Sequence, residues 1–247
     1  MGWPKALPPF LALALVVAGG CSSSQPAATA GAPIAATTTT VFEVSASTTL
    51  TSAAPSTTVA ATVPAAIPTS AADLGSSWHP GCPVGPDDLA VIPIRYWGFD
   101  DQPHVGSIVI HASVAEAVDQ VFSRLYADHF PIRRVEPVSA FEGDDNASMA
   151  ADNTSGFNCR AAVGAGPARW SAHASGQAID VNPRENPYLL DGEVLPPEGA
   201  DYLDRTVGRP GMAVAGGPLT SAFAAVGWSW GGTWTSPDYQ HFSATGA

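Results

Sequence analysis

Two short stretches, distant in the chain, constrain this protein more than any other feature of its sequence. The first reads Ser171-Ala172-His173-Ala174-Ser175-Gly176-Gln177-Ala178-Ile179-Asp180, with a histidine and an aspartate seven residues apart across a glycine-containing turn. The second comprises Trp230-Gly231-Gly232-Thr233-Trp234 and then Asp238-Tyr239-Gln240-His241-Phe242, with a carboxylate three residues before a histidine. A hydrolytic zinc site needs three protein ligands and one open position for water. It also needs a carboxylate able to take that water's proton. His173, Asp180 and His241 supply the first set and Asp238 the second, provided the fold brings all four together. Singly, each has an ordinary alternative: a lone histidine is commonly structural or solvated, and Asp180 (ahead of Asn182-Pro183) and Asp238 (after Pro237) could be turn residues. The joint spacing, H-x6-D followed by D-x2-H, is what points to a metal.

The start of the chain reads as an export signal. Lys5 gives a thin positive region, Phe10 to Ala18 an apolar core, and Ala18, Gly19 and Gly20 are small residues before Cys21. The apolar run is far short of the roughly 18 residues a membrane-spanning helix needs. Ala6 stands where an N-myristoylation motif wants Ser or Thr. The pattern in residues 1–21 resembles a bacterial lipobox, although Ala18 replaces the usual leucine. Lipidation of Cys21, with anchoring to the outer face of the cytoplasmic membrane, is expected; simple cleavage beside a free cysteine is the alternative. Residues 22–77 are mainly Ala, Thr, Ser and Pro, with Glu43 and Asp73 as the charges. Such a stretch has too little apolar surface to offset its ordering entropy, so it reads as a disordered linker, spanning on the order of 40 Å if coil-like. The folded domain is then expected over 78–247. Lys5 is the one lysine, and the formal net charge is -12. A chain this acidic, with no basic tract, is a poor nucleic-acid binder.

Within the domain, Ser107 to His111 carries Ile108-Val109-Ile110 and reads as a strand. Ser113 is expected to open a helix with Glu116 completing a capping box. Val114, Val118, Val121, Phe122 and Leu125 follow at helical spacing, and Pro131 lies beyond the end. Ile132 to Val138 reads as a strand, 141–158 and 183–200 as loops, and Ser221 to Val226 as a short helix stopped by Gly227. The last strands fall near Trp228 to Phe242. This order predicts an α+β domain with an antiparallel sheet and packed helices. Cys82 and Cys159 form an even pair in an exported chain and are expected to be disulfide-bonded.

The motif S-x-H-x-x-G-x-A-x-D, with an acidic residue shortly before a C-terminal histidine, resembles the D-alanyl-D-alanine carboxypeptidase family. That family includes the vancomycin-resistance D,D-dipeptidases and L-alanyl-D-glutamate endopeptidases. Ser171, His173, Gly176, Ala178 and Asp180 match its first motif, and Asp238 and His241 its second, in the Trp-Gly-Gly-x-Trp setting of the carboxypeptidase-like core branch. The resemblance implies the hedgehog/D,D-peptidase-like zinc fold, Zn2+ held by His173, Asp180 and His241, and Asp238 as catalytic base. Many relatives have glutamate at the base position, one methylene longer. The resemblance also implies an arginine upstream of the first motif that holds the substrate carbonyl, for which Arg160 is favoured and Arg169 is a rival. The implied substrates are peptidoglycan stem peptides or cross-links; which bond is cleaved stays open, as does the oligomeric state, for which a monomer is the default expectation. A non-catalytic zinc-containing wall-binding module and a zinc amidase are the competing readings. The extra carboxylate of Asp238 argues against the first.

Other residues read more plainly. His79, His104, His111 and His129 lack partners at ligand spacing and are taken as structural or exposed. Asp144, Asp145, Asp152 and Asn153 match no calcium-loop motif and are expected in a solvated loop lining the cleft. Trp228, Trp230 and Trp234 could stack on sugar, but core and cleft-wall roles are commoner.

Overall fold

The computed structural model describes residues 66–163 and 167–246. The export signal, Cys21 and the linker as far as residue 65 lie outside the described residues. In chain order the elements are β1 (Ile67–Pro68), α1 (Ala71–Leu74), β2 (Leu89–Trp97), β3 (Pro103–His111), α2 (Ala115–Ala127), α3 (Asp145–Ala150) and β4 (Ala178–Asp180). There follow β5 (Tyr188–Leu190), β6 (Glu193–Leu195), α4 (Pro218–Ala225), β7 (Ser229–Trp230) and β8 (His241–Ser243), with short 3-10 turns between. The fold is α+β. One sheet has the order β1-β2-β3, a second β4-β8-β7, and β5-β6 is a separate hairpin, all antiparallel.

β2 alternates inward residues, with Ala90, Ile92, Ile94 and Tyr96 all buried, as a half-covered strand requires. It is the longest element not anticipated from the sequence, and Pro93 interrupts its apolar run. β3 spans the predicted 107–111 and extends back to Pro103. Helix α2 lays Val118, Val121, Phe122 and Leu125 on this sheet. It begins one residue later than expected, with Val114 at the N-cap and without the predicted capping box. The ring Nδ1 of His111 accepts the Ser113 N–H at 3.1 Å, and a 3-10 turn precedes the helix. At the far end His129 takes φ 53, and the Phe130 N–H closes back onto Leu125 O at 2.9 Å. The core then continues through Ile179, Phe223 and Phe242, the last two stacked at 4.1 Å. Burying a side chain of this size contributes about 2–3 kcal/mol.

Four further expectations are corrected. Residues 66–77 belong to the domain and not to the linker: Ile67 and Pro68 pair with β2, and Leu74 is fully buried beside Phe157 and Leu89. Their local composition is linker-like, and only this docking gives them an apolar anchor. Residues 132–138 make one isolated bridge, Val135 to Thr154, in place of a strand, and Pro131 just before them bridges Trp97. The polar segment 141–158 contains α3, whose N-terminus is capped by the Asp144 carboxylate. The 183–200 loop contains the β5-β6 hairpin.

Cys82 and Cys159 are disulfide-bonded across a sequence separation of 77. The bond ties the start of the domain to the strip that carries Arg160, and the Cys159 N–H donates to Ser77 O at 2.9 Å.

Candidate metal centre

Strand register brings the two halves of the site together. β4 and β8 pair with Asp180 directly opposite His241, and residues opposite one another on a ladder hold their side chains within reach. His173 comes from the 3-10 turn Ala172–Ser175 that leads into β4. Ser171 caps this turn, its hydroxyl accepting the His173 N–H at 3.3 Å. Gly176 ends it at φ 68, where a Cβ would lie 2.6 Å from the backbone N of His111. Ala178 is fully buried, so the motif's small residue is demanded by packing. Each fixed letter of S-x-H-x-x-G-x-A-x-D therefore has a local job.

The three side chains converge. His173 Nε2 and His241 Nδ1 stand 3.1 Å apart. Asp180 reaches His241 Nδ1 with one oxygen at 3.1 Å and His173 Nε2 with the other at 3.2 Å. Two ligand atoms bound tetrahedrally at about 2.0 Å lie about 3.3 Å apart, so these separations fit a single zinc ion. All three residues are buried. The Nδ1 of His173 donates to the carbonyl of Gly156 at 2.7 Å; since a carbonyl only accepts, this fixes the tautomer and leaves the Nε2 lone pair facing the other two ligands. Burial alone would lower the His173 pKa, but the Asp180 carboxylate more than offsets it and raises it. Asp180 is driven the other way: burial opposes its charge, yet His173 and His241 hold it well below the usual carboxylate range.

Asp238 opens on the same cavity. It is buried, and its Oδ1 has no hydrogen-bond partner. Such an atom is costly unless something else meets it. Burial first, and the Asp180 charge second, push its carboxyl up to about 7, into the range where one group can both take and return a proton near neutrality. It is held by the Trp-Gly-Gly turn and by a bridge to Tyr188.

Arg160 also lines the cavity, and its Nη2 is paired with Asp145 at 2.9 Å. Arg169 lines it too, from the strip that pairs Ala161 with Trp170. Sequence reasoning missed three contributors: the Gly156 carbonyl, the Asp145 partner of Arg160, and Gln240, whose buried Oε1 is unpartnered at the cleft wall. A backbone carbonyl leaves no mark in sequence; Asp145 was expected in a loop lining the cleft and does line it, but its pairing with Arg160 was not read.

The remaining candidates disperse. Asp144 caps α3, Asp145 pairs with Arg160, Asp152 faces Arg133, and Asn153 clasps the backbone of Glu136. His79 lies 3.5 Å from Cys159 Sγ, but both neighbouring cysteines are spent in the disulfide. His104 pairs with Asp100, His111 caps the turn before α2, and His129 stacks on Trp97 at 4.0 Å. Trp228 is buried against Phe223 and Trp230 packs on Phe242, whereas Trp234 lines the cleft with its ring centroid 5.2 Å from that of His241.

Residues 165–244 match the family model of D-alanyl-D-alanine carboxypeptidase, a family of zinc peptidases. The matched segment contains Ser171, His173, Asp180, Asp238 and His241, so the resemblance read from the motifs is borne out. Comparison with curated proteins and with solved structures finds no match.

Proposed function

We propose that this chain is a zinc peptidase that hydrolyses peptide bonds in the stem peptides or cross-links of peptidoglycan, of D,D-carboxypeptidase or L-Ala-D-Glu endopeptidase type. The observation that carries the reading is the conjunction of a buried His173-Asp180-His241 triangle with an unpartnered acid, Asp238, on the same cavity. A site that served only to hold an ion would have no use for that acid, which costs stability where it lies.

Zinc bound by His173, Asp180 and His241 would lower the pKa of water toward neutrality and polarise the scissile carbonyl. Asp238 accepts the proton of the attacking water at its open Oδ1. The same carboxyl then protonates the leaving amine as the tetrahedral carbon collapses, which a group titrating near neutrality can do in both directions. Arg160, held in place by Asp145, directs its guanidinium at the carbonyl oxygen as negative charge develops there. Trp234 and Tyr188 wall the cleft and exclude bulk water from the reacting bond.

The same reading places the chain in the cell envelope, exported and tethered through lipid on Cys21, with residues between the anchor and the domain giving it reach into the wall. Purified chain, with and without chelator, on muropeptides with mass-spectrometric readout tests the activity. Chelator-sensitive product is expected; intact muropeptides in both arms would favour a module that binds wall without cleaving it.

A further inference from the structure

The disulfide leaves from a turn that does more than close a loop. Residues 79–82 read His-Pro-Gly-Cys, with Pro80 and Gly81 at the two central positions that a type II turn favours for them. Gly81 takes φ 100, and the Cys82 N–H closes the turn on His79 O at 3.2 Å. The turn folds His79 against both sulfurs: its N–H lies 3.3 Å from Cys82 Sγ and its Nε2 3.5 Å from Cys159 Sγ. Its Nδ1 faces Pro80 O at 3.1 Å. A carbonyl only accepts, so Nδ1 carries a proton and Nε2 is left to face the sulfur. The two cysteines differ in access: Cys82 is half-buried, whereas Cys159 is buried.

On its inner side the bond holds a strip that serves the metal centre. Gly156 O accepts from His173 Nδ1, and the Asn158 N–H donates to His173 O at 3.2 Å. The Asn158 side chain reaches Asp145, and Arg160 pairs with the same acid. The start of the strip is held independently, because the Phe157 N–H donates to Val109 O at 2.7 Å and its side chain is buried. Arg160 stands at the other end, partly exposed, one residue past the bond. The covalent clamp is thus closer along the chain to the cleft arginine than to the zinc ligands. Stabilising the fold does not call for an imidazole against the buried sulfur; releasing that sulfur does.

Resting on the peptidase reading above, we infer that the Cys82–Cys159 bond is a reducible clamp on Arg160, opened by a dithiol with His79 assisting, so that the enzyme is fast when oxidised and slow when reduced. One thiolate of the dithiol attacks the accessible Cys82 sulfur and forms a mixed disulfide there. The Cys82–Cys159 bond breaks and its electron pair leaves on Cys159, which takes a proton from Nε2 of the protonated His79 ring. Solvent returns that proton to His79. The second thiol of the reductant loses its proton to solvent, displaces Cys82 as a thiolate and departs as a cyclic disulfide. Cys82 is protonated in turn, so the products are two protein thiols and one oxidised dithiol.

Opening can be read without turnover. The full zinc-loaded chain is reduced with dithiothreitol, and loss of the bond is followed by alkylation and mass. His79→Gln should open about three- to tenfold more slowly than wild type. The opened chain is then capped with iodoacetamide, freed of reagents, reloaded with zinc and kept below its melting temperature. Hydrogen exchange should rise over residues 158–162 and stay unchanged over 171–180. On muropeptides the capped chain should keep its zinc and its KM and lose about tenfold in kcat. Cys82→Ser with Cys159→Ser should show the same loss. In Arg160→Lys opening should cost much less, since the clamp acts through that residue. A wild-type opening rate in His79→Gln, unchanged exchange and kcat in the opened chain, an equal loss in Arg160→Lys, or loss of zinc on opening each overturns the inference. If no chain cleaves muropeptide, the peptidase reading fails, and the opening rates and exchange still decide whether the clamp exists.

Discussion

The backbone N–H of Asp238 donates to the carbonyl of Gly231 at 3.1 Å, and the N–H of Trp234 donates to the same oxygen at 3.0 Å. The Trp-Gly-Gly turn is therefore the mount for the acid. A Cβ on Gly231 would sit 2.8 Å from the Asp238 carbonyl and 3.2 Å from its Cβ, so even alanine must push the acid away. Asp238→Ala should retain bound zinc and lose nearly all turnover, about 10²–10⁴-fold for a general base. Gly231→Ala should keep the metal and fall between that variant and wild type. Metal analysis beside the rate measurement checks both; full turnover in Asp238→Ala would move the base elsewhere.

Asp145 and Arg160 give a second test. If Asp145 orients the guanidinium, Asp145→Ala should lower kcat by about tenfold, and Asp145→Glu should recover part of the loss. The double-mutant cycle with Arg160→Lys should be clearly non-additive, since contacting residues couple. Additive losses would mean that the ion pair is ornamental to catalysis.

The pattern that was legible in sequence was the part written in side chains. H-x6-D and D-x2-H could be read because ligand chemistry admits few residue types; Gly176 and Ala178 were read through the family motif, and the structure supplies their reason, a backbone and a packing that leave no room there. Helix α2 announced itself through Val118, Val121, Phe122 and Leu125. What could not be read was long-range pairing. Nothing local says that Ile67-Pro68 will find β2, that Gly156 will present its carbonyl to His173, or that β4 will pair with β8 in the register that sets Asp180 opposite His241. β2 was not anticipated either, and Pro93 within its apolar run weakens the strand pattern there.

The disulfide should be a main support of the N-terminal part of the domain. A closed loop of 77 residues stabilises by roughly 4 kcal/mol in the chain-entropy model. For a domain of this size that corresponds to a fall in Tm of about 8–16 °C when the bond is removed. Cys82→Ser with Cys159→Ser, compared with wild type by calorimetry without reductant, measures it. An unchanged Tm would show that burial of Leu74 and Phe157 holds this region unaided.

Glu185 makes the sharpest pH prediction. It is fully buried in the turn after β4, and neither carboxyl oxygen has a hydrogen-bond partner. Burial, and then the neighbouring Asp152 carboxylate, push it up to about 8, which Arg133, with a nitrogen 3.9 Å from Oε1, offsets only in part. Tyr202 also faces it, and Arg205 donates to its backbone carbonyl at 2.7 Å. Between the ordinary glutamate value of about 4.3 and about 8, the folded chain holds a proton that the unfolded chain has released. The folded state is thus favoured in full at the acid end of that window, and the stabilisation is lost as pH rises, by about 1.4 kcal/mol per unit. Above about 8 the acid is ionised beside Asp152, and no further loss follows. Glu185→Gln keeps the neutral shape and removes the titration. Its Tm should lie close to wild type near pH 5 and exceed it by roughly 10–20 °C near pH 8. Parallel curves for the two proteins across this range would show that Glu185 is already ionised in the native state, with Arg133 answering its charge.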